Sequence, residues 1–382
     1  MKKQVFILGA GFSVAAGLPT QYDLTKEIFE PQKSDSEAYD LTLYNLYETQ
    51  RQLLRFLETE FGITSESEYL LQLEDIYTPL DRSIVENSTF RTFPPEELLN
   101  LRQSLDAILI LALKAKSTLT KKPEYIEKFA QYIIDKSRTR ANNYKKNDPI
   151  SIITTNWDIL LDNALRKQLL NEKKPAGVID YNCYVSSLKN DPTITPGLKA
   201  LAEGKFIVKL LKIHGSINWL HCPKCQRIYI DFYQRVIDYG VFRHKECRYC
   251  SREHISNEYK PPLLRTMLLM PTFIKDLSNF QTKLIWRNSG VEISEADELI
   301  FIGYSFPMAD FEFRQLLFRN VKRSARTRVV LYDNECPDKV IIPKDGTKVS
   351  YESAAYRYLS FFGGMDLKIS FEGVKAYIEN LK

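Results

Sequence analysis

Glycine is scarce in this chain, at 15 of 382 residues, about half the usual share of roughly 7%. The few places where glycines cluster therefore stand out. Histidine is scarcer still, with four in all, at 214, 221, 244 and 254. Long apolar runs are missing. The longest, Ala107 to Leu113, is bounded by Asp106 and Lys114, far short of the ~18 uninterrupted apolar residues of a membrane span. It fits a buried helix, and no membrane segment is expected. The opening MKKQVFILGAG has two lysines and a short apolar run, as a secretory signal does. Here the run breaks into a glycine turn, so it reads as a first β-strand of a cytoplasmic chain. An excess of one charge sign is also lacking: 53 Lys and Arg face 48 Asp and Glu, a net +5. A pI near 8.6 falls below the ~9 of a dedicated nucleic-acid domain, so direct nucleic-acid binding by this chain alone is not expected.

What is present points to a folded chain. With 44% apolar residues it can bury a full core, and disorder is excluded. The length suggests two or three modules. Four of the six cysteines form two C-x-x-C pairs, Cys222 with Cys225 and Cys247 with Cys250. That spacing argues for metal in a reducing compartment rather than disulfides. Four thiolates in a tetrahedron make a closed structural zinc site with no position left for catalysis. Cys183 and Cys336 remain as ordinary buried thiols.

Residues 3–9 read as a buried strand that runs into a Gly-Ala-Gly turn and a helix. From Tyr22 to about Lys146 no strand is expected. Apolar residues recur there at helical spacing, with polar breaks at 62–67, 78–95 and 117–123. Strand signals return at 149–154, 205–213, 298–302, 328–332 and 366–370, several of them apolar throughout, as in strands covered on both faces. Helices are expected after them at 158–169, 309–321 and 373–381. This alternation predicts an α/β fold with a Rossmann-like parallel sheet, a helical insertion and a small zinc-ribbon module. The basic run RNVKRSARTR at 319–328 reads as a solvated helix end, or else as an anion or partner surface.

Five elements carry chemistry. The first is Gly9-Ala10-Gly11-Phe12-Ser13-Val14-Ala15-Ala16-Gly17-Leu18-Pro19. A glycine turn entering a helix offers backbone N–H groups to a phosphate. The dinucleotide fingerprint is broken at Val14, and no acidic strand end follows, so an ordinary Rossmann dehydrogenase is disfavoured. A strand–helix turn without a ligand is the plain alternative. The second is Thr154-Thr155-Asn156-Trp157-Asp158, at the carboxyl end of a strand, where open α/β sheets bind ligands. Asn156 suits a water or a ribose hydroxyl. Asp158 suits the same site, or the N-cap of the next helix. The third is Lys212-Ile213-His214-Gly215-Ser216. The other three histidines flank the cysteines, which leaves His214 as the candidate general base, against the structural role that a single histidine usually has. The cysteine pairs are the fourth. The fifth is Phe301-Ile302-Gly303-Tyr304-Ser305 with Leu331-Tyr332-Asp333-Asn334-Glu335, which alone would read as plain loops.

Taken in order, these elements resemble the sirtuin family. Its pattern is G-A-G-I-S-x-x-S-G-I-P, T-Q-N-x-D, H-G, two C-x-x-C pairs, G-T-S and a V-N-x-E-like element. Gly9 to Pro19 keeps the spacing of the first. Asn156 and Asp158 stand in the second, without its Gln. His214-Gly215 matches the third, and Cys222 follows eight residues later. Gly303-Tyr304-Ser305 looks like G-T-S, and Asp333 or Asn334 would take the adenosine ribose. The resemblance covers residues 1–34 and about 148–340. The chain departs from deacylases in three ways. Thr20-Gln21-Tyr22 replaces D-F-R, 57 residues separate Asn156 from His214, and the helical stretch at 35–147 is foreign to them. These departures look more like the prokaryotic sirtuin-like NAD hydrolases of anti-phage defence, which often work with a partner, including hexameric HerA-type ATPases.

The resemblance implies that NAD is a substrate, cleaved to nicotinamide and ADP-ribose, and that zinc is structural. It implies catalytic roles for Asn156, His214 and Asp158. NAD would be bound by Gly9, Ala10, Gly11, Ser13, Thr155, Gly303, Ser305 and Asp333 or Asn334, and zinc by Cys222, Cys225, Cys247 and Cys250. Residues 1–34, 148–216 and 257–382 would form the NAD-binding Rossmann domain, 35–147 the helical module and 217–256 the zinc module. An NAD-dependent protein deacylase and a non-catalytic NAD- or ADP-ribose-sensing scaffold in a defence complex are the alternatives. A homo-oligomer is expected, with Tyr44, Tyr47, Phe56 and Phe61 as aromatic anchors; packing of those rings within the chain is the plainer reading.

Overall fold

Val5, Phe6, Ile7 and Leu8 are buried without a break, and so is every residue from Ile150 to Thr154. Such strands need cover on both faces. The computed structural model describes residues 2–29, 48, 50–67, 71–119, 123–140, 148–171, 176–232, 245–253, 260–332, 340–341 and 349–381. Its strands are β1 (Gln4–Leu8), β2 (Ile150–Thr154), β3 (Gly177–Asp180), β4 (Val185–Ser187), β5 (Phe206–Lys212), β6 (Gly215–His221), β7 (Ile228–Ile230), β8 (Arg265–Leu268), β9 (Glu298–Ile302), β10 (Arg326–Val330), β11 (Val340–Ile341) and β12 (Asp366–Ser370). Eight of them form one sheet in the order β11-β12-β10-β9-β1-β2-β5-β3. All neighbours are parallel except β11, which runs antiparallel to β12. The mixed α/β fold with its Rossmann-like parallel sheet is as expected.

The chain divides into two compact units, Met1–Gly17 with Thr120–Leu269 and Leu277–Lys382, and Leu18–Leu119 with Met270–Asp276. In the first unit the helix Glu124–Arg138 buries Tyr125, Ile126, Phe129, Ala130, Ile133 and Ile134. These recur every three or four residues, the spacing of one helix face. The ring of Phe129 meets that of Phe6 edge-on at 5.2 Å. This helix belongs to the long helical stretch by sequence, yet it packs with the sheet unit. The helix Phe280–Glu295, which periodicity did not reveal, buries Ile285, Trp286 and Ile293. β10 lies two residues earlier than the strand expected at 328–332, because Arg326 is already in register with Glu298 and Asp366.

In the second unit the helix Leu73–Glu86 runs through Pro79, where a break was expected from 78. Proline removes one helical hydrogen bond. Burial of Leu73, Ile76, Tyr77 and Leu80 outweighs that loss, and the helix ends instead at Asn87, in the left-handed region at φ 52°. Phe56 is buried and packs against Phe61, Phe90 and Phe93 at 4.9–6.1 Å. Phe56 and Phe61 therefore serve an internal aromatic cluster rather than an exposed anchor. Tyr44 and Tyr47 lie outside the described residues.

Chain order reverses between β1 and β9, with β2, β5 and β3 on one side and β9, β10 and β12 on the other. In open α/β sheets such a switch point opens a crevice at the carboxyl ends. Here the two loops leaving β1 and β9 touch. Gly11 N donates to Gly303 O at 2.8 Å. Gly303 has φ +60°, and a Cβ there would lie 2.3 Å from Phe12 N. Left-handed backbone and a backbone clash both require glycine. Gly303→Ala should therefore destabilise the chain by about 2 kcal/mol or more. Gly364→Ala, where a Cβ meets nothing within 4 Å, should cost far less. Denaturant titration of the two variants checks the contrast; equal stabilities would refute it.

Candidate nucleotide crevice and cysteine centre

Parallel pairing places the ends of four strands level. Leu8 is in register with Thr154 and with Ile302, and Thr154 with Lys212. The ladder runs one bond further, through Thr155 N to Leu8 O, Ile213 N to Thr154 O and Gly9 N to Ile302 O, each at 3.1 Å. The chains then turn away. Gly9, Asn156, His214 and Gly303 thus emerge along one edge of the sheet, although they are far apart in sequence.

Asn156, Ser13 and Asp158 are brought together. Asn156 Nδ2 donates to Gly9 O at 2.9 Å and to Ser13 Oγ at 3.3 Å. A carbonyl acceptor fixes which end of the amide faces inward, so Oδ1 is the atom left to meet a ligand. Ser13 Oγ in turn donates to Asp158 Oδ2 at 2.8 Å. Asp158 Oδ1 accepts from Leu160 N at 3.0 Å, so this side chain both caps the helix Leu160–Asn171 and faces the site. Beneath lies a buried ion pair, Lys212 Nζ to Asp162 Oδ2 at 3.0 Å. Lys212 also donates to Asp158 O at 2.5 Å, and Tyr181 Oη donates to Asp162 Oδ1 at 2.8 Å. Burial raises the Asp158 carboxyl above its ordinary range, and the charge of Lys212 opposes this most strongly. The space enclosed by these residues is about 10 Å³, room for one water.

His214 is held elsewhere. Its Nε2 lies 3.3 Å from Asp310 Oδ1, and Asp310 Oδ2 accepts from Tyr304 Oη at 2.6 Å. The Trp286 ring lies 6.4 Å from the imidazole, and its Nε1 donates to Ile213 O at 2.9 Å. Asn156 makes its hydrogen bonds to Gly9, Ser13 and Thr154 and none to His214. His214 is mostly buried, at 7% exposure.

The glycine turn differs from a ready phosphate cradle. Its helix, Gly11–Val14, is a single turn. Gly9, Gly11, Phe12, Ser13 and Val14 all donate their N–H groups to backbone carbonyls. Among the described residues, only the N–H of Ala10 in this run has no backbone acceptor. The glycines serve the contact between the two loops. Ala10 and Ser305 are exposed, and Ser305 O accepts from Arg357 Nε at 2.9 Å. The Thr155 hydroxyl bonds Leu8 O at 3.4 Å. Asp333 and Asn334 lie outside the described residues. Sequence reasoning did not assign Lys212, Asp162, Asp310, Tyr304 or Trp286. A lysine closing an apolar strand, and an acid four residues after Asp158, were signals for the first two. Nothing local marked the others.

The four cysteines converge beside a second sheet, of order β4-β7-β6-β8. Cys222 and Cys250 sulfurs are 3.8 Å apart, and Cys225 and Cys247 3.7 Å. All four lie within 4.8 Å of one another. Disulfide sulfurs would be about 2 Å apart, whereas zinc–sulfur bonds of about 2.3 Å set tetrahedral edges of about 3.8 Å. Burial, and then the neighbouring cysteines, raise the thiols of Cys222 and Cys250; a divalent cation favours the thiolates instead. The donor set thus fits zinc and the zinc-ribbon module. The sheet extends past 217–256, since it includes Val185–Ser187 and Arg265–Leu268.

No family model and no curated protein matches this sequence. Solved structures that resemble the chain include sirtuins. A crystal structure of a Sir2 homolog–NAD complex aligns over 99% of this chain and 88% of its own, at 13% identity and a TM-score of 0.42. A Sir2–p53 peptide–NAD+ structure covers 99% and 90%, at 12% identity and a TM-score of 0.37. These overlaps are loose, and the chemistry of the site rests on the side chains described above. No described helix is long and apolar enough to cross a membrane.

Purified chain is expected to carry a single zinc. Cys222→Ser should lower the melting temperature, as loss of one of four ligands opens the site. Metal analysis and thermal melts check both, and folded protein without zinc would overturn the assignment.

Proposed function

We propose that this chain is an NAD-using enzyme that hydrolyses the nicotinamide–ribose bond. The observation that carries the reading is the hydrogen-bonded chain Asn156–Ser13–Asp158 at the switch point, supported by the order of motifs that resembles sirtuins. Water adds to the ribose carbon as the bond to nicotinamide breaks. The electron pair leaves on the pyridinium nitrogen, which becomes neutral, and one proton is released. The transition state is oxocarbenium-like. Asn156 Oδ1 is the acceptor that holds the ribose or the water. His214 takes the proton, and Asp310, 3.3 Å away, stabilises the imidazolium. Asp158 keeps Ser13 and Asn156 oriented.

On this reading the products are nicotinamide and ADP-ribose, and depletion of NAD is the output in phage defence. Self-association and a HerA-type ATPase are the accompanying partners. Incubation of the chain with NAD, with and without an acetylated peptide, followed by product chromatography, tests the chemistry. Free ADP-ribose without peptide is expected, and His214→Ala should slow its release by about 10²-fold. Acetyl-ADP-ribose formed only with peptide would make the chain a deacylase, and no turnover would favour a sensing scaffold. Light scattering tests assembly; a fully active monomer at micromolar concentration would remove oligomerisation from the proposal.

A further inference from the structure

Arg314 lies one turn into the helix Phe311–Asn320, and Arg357 one turn into the helix Ala354–Phe362. Both are partly buried, and both reach the loop that leaves β9. Arg357 Nε donates to Ser305 O at 2.9 Å. Arg314 Nη1 donates to Phe306 O at 3.4 Å. Two guanidiniums from different helices thus stand on consecutive carbonyls. The remaining bond, from Arg357 Nη1 to Glu352 O at 2.7 Å, also ends on a carbonyl. Among the described residues, no carboxylate pairs with either arginine. Burial disfavours both charges, and Arg357 disfavours that of Arg314 further. Arginine keeps its proton regardless, so two like charges share this loop without a counterion.

The loop itself is held in a strained shape. Phe306 has φ +56°, a left-handed conformation that a bulky residue keeps only where its surroundings impose it. Its ring is fully buried, with the Arg314 guanidinium 4.2 Å from the ring centre. Tyr358 Oη donates to Tyr304 O at 2.9 Å, so side chains fix three successive carbonyls. Glutamines could hold two of these carbonyls without placing any charge there. The arginines add two charges, and each guanidinium has five N–H donors. Together they make three hydrogen bonds, which leaves most donors for a ligand. We propose that Arg314 and Arg357 form a binding site for a phosphoryl group carrying two negative charges. Its charges match the two guanidiniums, and its oxygens suit two planar forks. A carboxylate supplies one charge and fills one fork. The same loop carries Tyr304, whose hydroxyl bonds Asp310 beside His214, so the bound anion steadies the segment that holds this acid. The site stands independently of NAD cleavage.

Calorimetric titration of the full chain with inorganic pyrophosphate, at fixed ionic strength and without added divalent cations, tests the site. Binding is expected. It should weaken by about tenfold or more in Arg314→Gln and in Arg357→Gln, the loss expected for charge-assisted hydrogen bonds. Lys322→Gln with Arg323→Gln removes two exposed cations of the basic run and should leave binding unchanged. Thermal melts separate a binding site from a structural clip. Pyrophosphate should raise the melting temperature of the wild type and raise it less in either glutamine variant. A clip alone would lower the melting temperature equally with and without the anion. Where a glutamine variant does not fold, Arg→Lys at the same position keeps the charge but loses the fork, and binding should again weaken. The proposal is overturned by a wild type that does not bind, by equal weakening in the Lys322 and Arg323 control, or by undiminished binding in the folded Arg314 and Arg357 variants. Competition with adenosine diphosphate identifies the source: displacement of pyrophosphate assigns the site to the phosphates of a nucleotide, and independent binding assigns it to a free phosphate. A wild type that binds pyrophosphate but cleaves no NAD keeps this site and removes the NAD reading.

Discussion

The crevice depends on β1 being paired in parallel on both sides. One buried strand of five residues holds β2 on one edge and β9 on the other, in matched register. That register puts Gly9, Asn156 and Gly303 at one level, and β5 adds His214. A slip of one residue would turn each strand's side chains to the opposite face.

Polar groups at the carboxyl ends are arranged around that edge under a second constraint: Ser13, Asp158, Lys212 and Asp162 are buried, so each needs a partner. Asn156, Ser13 and Asp158 satisfy one another, and Lys212 and Asp162 form a pair below them. His214, Asp310 and Tyr304 form a separate series against Trp286. Catalysis as proposed requires the two series to meet over a ligand. The Gly11–Gly303 hydrogen bond joins the loops that leave β1 and β9. The cysteine centre lies apart from this chemistry. Its four sulfurs have the spacing of a tetrahedral zinc site, and they bring the turn between β6 and β7 together with the segment carrying Cys247 and Cys250.

Much was legible along the chain where the physical signal is local. Continuous apolar runs marked β1, β2, β5 and β9, because strands covered on both faces show no alternation, whereas β12 alternates exposed and buried residues. The C-x-x-C pairs marked the metal centre through spacing alone. Glycine clusters marked Gly9, Gly11 and Gly303. Their role was read less well: the expected free N–H groups are bonded within the backbone, and the glycines allow two loops to touch. Pro79 was read as a break, but the buried face of its helix outweighed one missing bond. Short strands such as β4, β7 and β11 gave too few residues for a pattern.

By itself, then, the sequence determined the α/β class, the four thiol ligands and the clustering of Asn156 and Asp158 at a strand end. Each of these follows from neighbours along the chain. Only the tertiary structure decided which groups those residues meet. Asp310 reaches His214, and Lys212 lies under Asp158, through strand order and helix packing, which bring together residues that no local pattern connects. The same packing decided that Phe56 and Phe61 face an internal cluster. It also gave Lys212 its charge environment, since burial between two acids is a property of the assembled sheet and helix and not of the strand that carries the lysine.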